Sequence, residues 1–353
     1  MKMGHTWAGI ASALGAAALF GMSTPAAKAL LTTVDPWLTA GLLYLAAGIG
    51  LGATRVLRRL IRHTPGETSL QPADLPWLAG AVAAGGVAGP VLLMTGLAQT
   101  GAATASLLLN LEGLATMAIA WTIFREHVDR RLLVGALSIL AGAVLLSWGG
   151  DGGAISAGAL LIALACLAWG IDNNLTRKIS SADPLQIAMI KGIVAGSVNL
   201  GLSLSLGVAL PELSDVVAVS IVGFLGYGIS LALFVTALRH LGTARTGAYF
   251  SSAPFIGAVL GIAFLDEPVT WTLVAAGGLM ALGLYLHLAE HHSHEHAHEP
   301  IEHAHGHVHD DHHRHAHADD VSTDSQHAHR HRHVPLVHGH PHYPDLHHRH
   351  RHL

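Results

Sequence analysis

Ten stretches of mainly apolar residues follow one another before residue 290, and the polar links between them are short. Each stretch approaches the length of about 20 residues that a helix needs to cross the hydrocarbon layer of a bilayer. A soluble helical core does not require ten such segments in series, so the pattern indicates an all-α integral membrane protein. The predicted transmembrane spans are residues 8–30, 36–55, 75–97, 102–124, 131–149, 154–175, 185–207, 215–238, 244–264 and 268–289.

The segment from Leu97 to Ser147 recurs 141 residues later as Leu238 to Leu288, in the order apolar helix, acidic turn and apolar helix. Only 8 of its 51 positions are identical, so the shared order of elements carries the comparison. A repeat of roughly 140 residues is too long for a solenoid unit and suits a duplicated membrane half. The ungapped alignment pairs Gly101 with Gly242, Glu126 with Glu267, Val128 with Val269, and Gly142 with Gly283.

Each half holds five spans, and because five is odd the second half must enter the bilayer upside down. The basic residues agree with this inversion. Of the thirteen Lys and Arg residues near predicted helix ends, twelve fall on the side of the N-terminus. Since positive charge marks the cytoplasmic side, both termini are predicted to be cytoplasmic in an inner-membrane protein. The exception, Lys28, is expected to snorkel to the outer headgroups.

The chain therefore divides into three parts. Residues 1–149 form the first five-helix repeat, 150–289 the second, inverted repeat, and 290–353 a polar tail. The beginning, Met1–Ala29, has the composition of a secretory signal. Cleavage there would remove one helix and break the symmetry of the two halves, so we expect a retained first span.

Several motifs resemble the EamA family of the drug/metabolite transporter superfamily. The two acidic turns, Thr-Ile-Phe-Arg-Glu-His-Val at 122–128 and Ala-Phe-Leu-Asp-Glu-Pro-Val at 263–269, each precede a Gly-rich helix, as in that family. The repeat openings at 19–28 and 167–177 match as well, and Asn-Leu-Glu-Gly at 110–113 resembles the family's Glu-Pro in the fourth helix. The resemblance implies ten helices around a central cavity with alternating access, carrying a small-molecule substrate.

The chain departs from that pattern at two places. Gly113 replaces the proline of the fourth helix, and Ala253-Pro254 keeps the proline of the ninth helix without the acid. The resemblance covers residues 8–289 and leaves the tail outside it. It is specific for the fold and weak for the substrate, because the family serves many small molecules.

Glu112 is the first candidate for chemistry, because it lies near the middle of a predicted span. A charge at that depth costs about 2.5–3.5 kcal/mol on insertion scales, so it must face a wet cavity or a partner, or be protonated. Thr116 lies one turn further on the same face, and Asn110 lies just before. Glu112 is either a substrate or proton site, or a carboxylate that only joins neighbouring helices.

Asp172 and Lys191 lie at similar depth in consecutive helices, so an ion pair between them would lower their joint cost. Structural pairing is the simplest interpretation, and a gate or substrate contact is the alternative. Asn173 makes the same helix end more polar, although such amides more often join helices than bind cargo. Trp169 is either an interface anchor or part of the cavity wall.

The tail differs in composition, since 24 of the 29 histidines lie in the last 63 residues. Without apolar periodicity it is predicted to be disordered. Imidazole is a good ligand for Zn, Ni, Co and Cu, and dense histidine tracts are typical of metal binding. A solubilising or a pH-responsive tail is the alternative. The predicted metal ligands are His294, His296, His298, His303, His305, His307, His309, His327, His329, His331 and His333.

Other functional classes lack support in the sequence. A single cysteine, Cys166, excludes an intramolecular disulfide and a thiolate metal cluster. No nucleophile–base constellation, phosphate-binding loop or dinucleotide fingerprint occurs, so an enzyme is not predicted and no cofactor is required. The basic clusters follow from topology rather than from nucleic-acid binding. The expected partners are the lipid bilayer, a small-molecule substrate and, at the tail, divalent metal ions.

Three functional hypotheses remain. The first is a secondary transporter, an exporter of small organic molecules, with a metal-responsive cytoplasmic tail. The second is a divalent metal exporter (Ni, Co or Zn) whose tail collects the ion, and the third is a membrane-anchored metal store or sensor. A metal pathway should place several ligands at membrane depth, whereas His240 and His287 lie only at helix ends. This distribution favours the first hypothesis.

Overall fold

The computed structural model describes residues 2–61, 69–124, 130–148, 155–179, 182–241 and 243–288, and in the tail 293–297, 302–307, 327–332 and 337–341. Ten of its helices are long and apolar enough to cross a membrane, which confirms the predicted fold class. We number them spans 1 to 10: Trp7–Leu30, Pro36–Leu57, Pro72–Ala98, Ala102–Ile123, Arg130–Ser147, Ala157–Lys178, Pro184–Ser205, Leu213–Leu238, Arg245–Leu265 and Trp271–Leu288.

Six spans lie in uninterrupted α-helices, and the other four are irregular. The uninterrupted helices are Lys2–Leu30, Pro36–Ile61, Arg130–Ser147, Ala157–Lys178, Pro184–Ser205 and Trp271–Leu288. The irregular spans are the third and fourth of each half, namely spans 3, 4, 8 and 9. The irregularities therefore recur at the same places in the two halves.

Spans 3 and 8 each contain a π-helical segment between two α-helical ones. In span 3, which begins with the 3₁₀ turn Pro72–Asp74, the segment Val82–Ala88 separates Leu75–Ala81 from Gly89–Ala98. In span 8, Phe224–Ile229 separates Leu213–Gly223 from Ser230–Leu241. A shift of 141 residues places 82–88 on 223–229, so the two segments coincide in the repeat. A π segment disturbs the i→i−4 ladder, which makes backbone carbonyls accessible to side chains.

Spans 4 and 9 are each broken near the middle. Span 4 consists of Ala102–Leu108 and Leu111–Phe124, and its helical axis is interrupted at residues 109–110. Span 9 consists of Thr243–Phe250 and Ala253–Leu265, with a turn at residues 251–252. The two breaks again lie about 141 residues apart. Broken helices at corresponding positions of two repeats are typical of the substrate region of secondary transporters.

The packing of the spans has the same internal symmetry. Spans 2 and 7, 4 and 9, and 5 and 10 are corresponding spans that pack against each other. Span 1 packs on spans 8 and 9, and its counterpart, span 6, packs on spans 3 and 4. Ser138 and Leu279 are counterparts in the repeat, and the Ser138 hydroxyl donates a hydrogen bond to the Leu279 carbonyl at 2.7 Å. The local two-fold axis therefore passes between spans 5 and 10.

Glycines allow the corresponding spans to approach closely and show that they run in opposite directions. A Cβ on Gly135 would meet the Gly283 carbonyl, and a Cβ on Gly142 would meet the Ala276 carbonyl. A later residue of span 5 therefore contacts an earlier residue of span 10, so the two spans are antiparallel. Gly48 and Gly192 bring spans 2 and 7 together in the same manner. Small residues at such crossings are expected in lipid, where backbone packing holds helices together.

Many large apolar side chains point away from this packed interior. Trp271 is 86% exposed and Phe264 is 77% exposed, and both lie near the ends of the apolar layer. Trp121 and Trp148 are also exposed, whereas Trp169 is buried. A soluble monomer rarely exposes so much apolar surface, and a membrane protein presents it to lipid.

Charged side chains at several helix ends bind backbone groups or one another. Asp35 and Asp183, which begin spans 2 and 7, each accept backbone N–H groups of the first helical turn through Oδ1. Arg55, near the other end of span 2, forms an ion pair with Asp183 at 3.1 Å. The Lys28 ammonium donates to the carbonyls of Leu97 and Ala98, because the last carbonyls of span 3 lack helical partners. That Lys28 also reaches the outer headgroups stays a prediction.

The tail is predicted to have no regular structure, and most of its residues lie outside the described ranges. Four short segments nevertheless form strands: β1 (Ser293–Ala297), β2 (Glu302–His307), β3 (His327–Arg332) and β4 (Val337–Pro341). β1 pairs with β4 and β2 with β3, both antiparallel. In these segments histidine alternates with other residues, which is the period of two that strand pairing requires.

Candidate functional site

Glu112 lies directly after the break in span 4, in the first turn of the helix Leu111–Phe124. Its Oε1 accepts a hydrogen bond at 3.0 Å from the side-chain amide of Asn173 in span 6. Among the described residues, Oε2 has no hydrogen-bond partner. A helix N-terminus favours a negative charge, so the break itself supports the carboxylate.

Asn173 and Thr116 complete the immediate surroundings of Glu112. The Asn173 amide also approaches the Thr116 hydroxyl at 3.1 Å, and that hydroxyl donates to the Glu112 carbonyl one turn back at 2.9 Å. The neighbouring Asn174 is buried, and its amide donates to the Thr116 carbonyl at 3.1 Å. Two asparagines of the second half therefore bind span 4 of the first half at the level of the carboxylate.

Asp172 and Lys191 form the predicted ion pair. The Lys191 ammonium lies 2.6 Å from both carboxylate oxygens of Asp172, and the aspartate is only 5% exposed. The Thr176 hydroxyl donates to Asp172 Oδ1 at 2.9 Å. Asp172 directly precedes Asn173, which binds Glu112, so the pair lies beside the carboxylate. The pair therefore adds polarity beside Glu112 without adding net charge.

The π-helical segment of span 3 lies against this pair. Its Gly85 carbonyl accepts two hydrogen bonds, from Trp169 Nε1 at 2.9 Å and from the Tyr44 hydroxyl at 3.1 Å. A Cβ on Gly85 would overlap the Asp172 carboxylate, so only glycine fits at this position. The Asn199 amide donates to the next carbonyl, that of Gly86, at 3.2 Å. Spans 2, 6 and 7 thus all bind the irregular backbone of span 3.

A row of aromatic rings extends from Tyr44 across the middle of the protein. The ring centroids of Tyr44 and Tyr227 are 5.6 Å apart, those of Tyr227 and Phe20 are 5.7 Å apart, and those of Phe20 and Phe250 are 5.4 Å apart. Phe234 extends the row from Phe250 at 4.9 Å. We call these five residues the aromatic row. All of them are half-buried.

The two halves contribute differently to the site. The counterpart of Glu112 in the repeat is Ala253, which follows the break in span 9. Gly85 of span 3 packs against Asp172, and its counterpart Gly226 in span 8 packs against Ser23. The two glycines therefore make equivalent contacts in the two halves, but the partner is a carboxylate in one half and a hydroxyl in the other. The site therefore has an acidic side and an aromatic side.

The structure brings together six of the seven predicted substrate or coupling residues: Glu112, Thr116, Asp172, Asn173, Lys191 and Trp169. The seventh, Asn110, turns away within the break. Its amide donates to the Leu107 carbonyl at 2.8 Å and lies 3.9 Å from Met280 Sδ in span 10. The amides of Asn110, Asn174 and Asn199 join helices, as predicted for most of the asparagines.

Sequence reasoning missed the aromatic row and the Gly85 carbonyl. Tyr44 and Tyr227 are the only tyrosines in the interior of predicted spans 2 and 8, and this position was the available signal for them. The π-helical carbonyl had no signal beyond the pair Gly85-Gly86 in the middle of span 3. Both features depend on which spans pack together.

The predicted metal ligands of the tail lie partly within the described strands. The register places His303 opposite His331, His305 opposite His329, and His307 opposite His327, while His294 and His296 lie in β1. The remaining predicted ligands, His298, His309 and His333, lie outside the described residues. Within the described ranges, no group of three or more His, Cys, Asp or Glu side chains could hold a metal ion.

Comparisons with known proteins agree with this architecture. The model of the EamA-like transporter family matches residues 7–148 and again residues 156–289. An uncharacterised transporter of Methanothermobacter thermautotrophicus is 30% identical over 301 residues, which cover 80% of this chain and 87% of that protein. The uncharacterised inner membrane transporter YedA of Escherichia coli K12 is 28% identical over 271 residues, covering 72% of this chain and 84% of YedA.

Two further matches are more distant. A probable amino-acid metabolite efflux pump of Salmonella typhimurium is 27% identical over 206 residues, which cover 53% of this chain and 67% of that pump. A solved crystal structure superposes with a TM-score of 0.59 at 20% identity, covering 78% of this chain and 95% of the other. The latter comparison supports the fold.

Proposed function

The chain belongs to the EamA-like transporter family, and from that premise we propose that it exports small organic metabolites or drugs by alternating access. The observation that carries the proposal is the Glu112 carboxylate, which lies at the break of span 4 and is bound by Asn173 from the other half. Glu112 would contact the substrate or the coupling ion, with Asn173 and Thr116 holding its orientation. The protein is a membrane transporter and not an enzyme.

The two-fold organisation supports alternating access. Spans 3 and 8 and spans 4 and 9 carry the same irregularities, so the chain can form two related packings that expose the centre to one side or the other. Export as the direction rests on the efflux pump among the relatives, and an inner-membrane location rests on YedA.

Transport by purified protein in liposomes tests the proposal. Counterflow of labelled metabolites should be measured for the wild-type chain and for Glu112→Gln, which keeps the size of the side chain and removes its charge. Glu212→Gln is the matched control, because Glu212 is exposed in the link before span 8 and its side chain caps no helix. Organic substrate flux that is lost only in Glu112→Gln supports the proposal, and unchanged flux contradicts the role of Glu112.

For the tail we propose binding of divalent Zn, Ni, Co or Cu ions, with a regulatory effect on transport from the cytoplasmic side. Support comes from the histidine density and from the register that places histidines opposite one another in β2 and β3. Deletion of residues 290–353 should remove most of the metal binding measured by calorimetry and leave organic transport intact. Full metal binding by the shortened chain would contradict this assignment.

The same deletion separates two alternatives that the histidines suggest. If the protein exports divalent metals, liposomes with the full chain should accumulate Ni²⁺, Co²⁺ or Zn²⁺, and the deletion should slow this flux. If the protein is a metal store or sensor, neither metals nor organic compounds should cross the bilayer. Organic flux without metal flux is the result that our proposal requires.

A further inference from the structure

Within the proposed export function, we infer that the substrates are amphipathic amines: molecules with one cationic amino group, an aromatic or apolar body and no carboxylate. The inference names a substrate class for the site around Glu112 and assigns the aromatic row to the substrate's body. It rests on the balance of charges at the site and on the position of the row.

The charges of the site leave one carboxylate, that of Glu112, without a counter-charge among the described residues. The Lys191 ammonium contacts both oxygens of the Asp172 carboxylate, so these two charges neutralise each other. Glu112 has no cationic partner among the described residues, and one of its oxygens accepts no hydrogen bond there. A charged side chain at membrane depth faces a water-filled cavity or pairs with an opposite charge. An organic ammonium group on the Oε2 side would provide the missing charge.

A zwitterionic substrate would need a partner for its carboxylate as well as for its amine. An amino acid would bring a carboxylate as well as an amine, and a desolvated carboxylate requires a cation or several donors. Lys191, the cation of the neighbouring ion pair, is already bound to Asp172 at 2.6 Å. The polar amide of Asn173 already donates to Glu112 and Thr116. The arrangement therefore discriminates against substrates with an acidic group.

The aromatic row provides a surface for the apolar body of the substrate. Tyr44 and Trp169 share the Gly85 carbonyl, and Asp172 packs against the same glycine, so the aromatic row begins beside the acidic side. Aromatic faces attract ammonium groups and stack with other rings. A molecule held by Glu112 can therefore lay an apolar body along the row.

The halves of the repeat limit the substrate to one charge. Ala253 replaces the carboxylate at the second break, and Ser23 replaces the aspartate beside the second π-helical segment. A dication such as a linear diamine would place its second ammonium near aromatic rings with no carboxylate among the described residues. Monoamines should therefore be preferred over diamines of similar length.

Tyramine and tyrosine form a matched pair for the test, because they share a ring and an amine and differ in the α-carboxylate. Liposomes with the full chain should take up labelled tyramine by counterflow at a rate about tenfold or more above that of tyrosine. Glu112→Gln should abolish the tyramine flux. Tyr227→Leu should slow the transport of tyramine more than that of isopentylamine, an aliphatic amine without a ring.

Binding to the wild-type chain provides a measurement that needs no variant. Thermal unfolding in detergent should shift upward with tyramine and not with tyrosine. Equal or faster transport of tyrosine would overturn the inference and leave organic export standing. Flux of Ni²⁺ or Zn²⁺ with no organic flux would overturn both the inference and the proposed function. Tyramine transport that survives Glu112→Gln would also overturn it, because the charge argument would then be wrong.

Discussion

Glu267, at the link after span 9, accepts a hydrogen bond at 2.8 Å from the backbone N–H of Ala103 in the other half of the protein. Its second oxygen accepts from the N–H of Ala102, so the carboxylate satisfies two free donors at the start of span 4. The turn before span 4 lies between this anion and the Lys28 ammonium, which binds the end of span 3. The acidic turn of the repeat thus joins one half to the other.

Loss of this cap should destabilise the protein. Glu267→Gln removes the charge that complements the helix N-terminus and places an amide donor against backbone N–H groups. We expect the free energy of unfolding to fall by about 1 kcal/mol, the usual value for a helix cap. The loss can reach about 2 kcal/mol here, because the contact is partly buried. Denaturant titration in mixed micelles measures the change.

Asp266→Asn is the matched control for the cap. Asp266 precedes Glu267, is exposed and has a left-handed backbone with φ of 51°, which asparagine also tolerates. This variant should unfold within about 0.5 kcal/mol of the wild type. If both variants lose the same stability, the cap is not the cause.

The ion pair between Asp172 and Lys191 should behave as a structural unit. Asp172→Asn alone or Lys191→Met alone leaves a buried charge without its partner, and we expect each to cost about 3–5 kcal/mol of stability. The double variant removes both charges, so it should recover most of this loss. A double-mutant cycle on unfolding measures the coupling between the two residues.

The same cycle distinguishes the two interpretations of the pair. If the pair only packs the helices, the double variant should also recover amine transport. A double variant that folds stably but carries no substrate would show that Asp172 or Lys191 contacts the cargo. That result would contradict the charge balance from which we inferred the substrate class.

The close packing at Gly85 leads to a third prediction. In Gly85→Ala, the added methyl group would overlap the Asp172 carboxylate, and the backbone carbonyl bound by Tyr44 and Trp169 would have to shift. We expect a loss of stability of about 1–3 kcal/mol, as for other overpacked cores. Transport should fall as well, because the shift moves residues that border Glu112.

Gly278→Ala provides the comparison, since a Cβ at Gly278 in span 10 meets nothing within 4 Å. Alanine is the better helix former by about 0.5–1 kcal/mol, so this variant should be as stable as the wild type or more stable. Equal destabilisation by the two substitutions would mean that helix propensity, and not contact with Asp172, governs the effect.

Span number, the repeat and the Asp172–Lys191 pair could be predicted because each follows from a local rule. Apolar length predicts a span, and two opposite charges at equal depth in consecutive helices predict a pair. The position of Glu112 after a break in the helix could not be predicted, because Leu109 and Asn110 carry no proline or glycine signal. At the break, the Asn110 amide contacts Met280 Sδ of span 10, which the sequence does not show.

The remaining differences have the same origin. The depth of Lys28 is visible in the sequence, whereas the carbonyls of Leu97 and Ala98 to which it donates are not. The aromatic row joins residues from spans 1, 2, 8 and 9, so no single stretch of sequence contains it. Features made by one helix, one link or two consecutive helices were predictable, and features made by four helices required the structure.

The orientation of the chain in the membrane is a prediction that labelling can decide. Ser69 lies in the link between spans 2 and 3, and Val269 lies in the link between spans 9 and 10. Both are exposed. Because basic residues mark the cytoplasmic side, Ser69→Cys should react with a membrane-impermeant maleimide only after cells are permeabilised, whereas Val269→Cys should react in intact cells. The native Cys166 is buried and serves as an internal blank.

Reaction of both introduced cysteines from the same side would contradict the inverted arrangement of the halves. Reaction of Ser69→Cys alone in intact cells would reverse the orientation, so that the histidine tail would face outward and could not act on export from the cytoplasm.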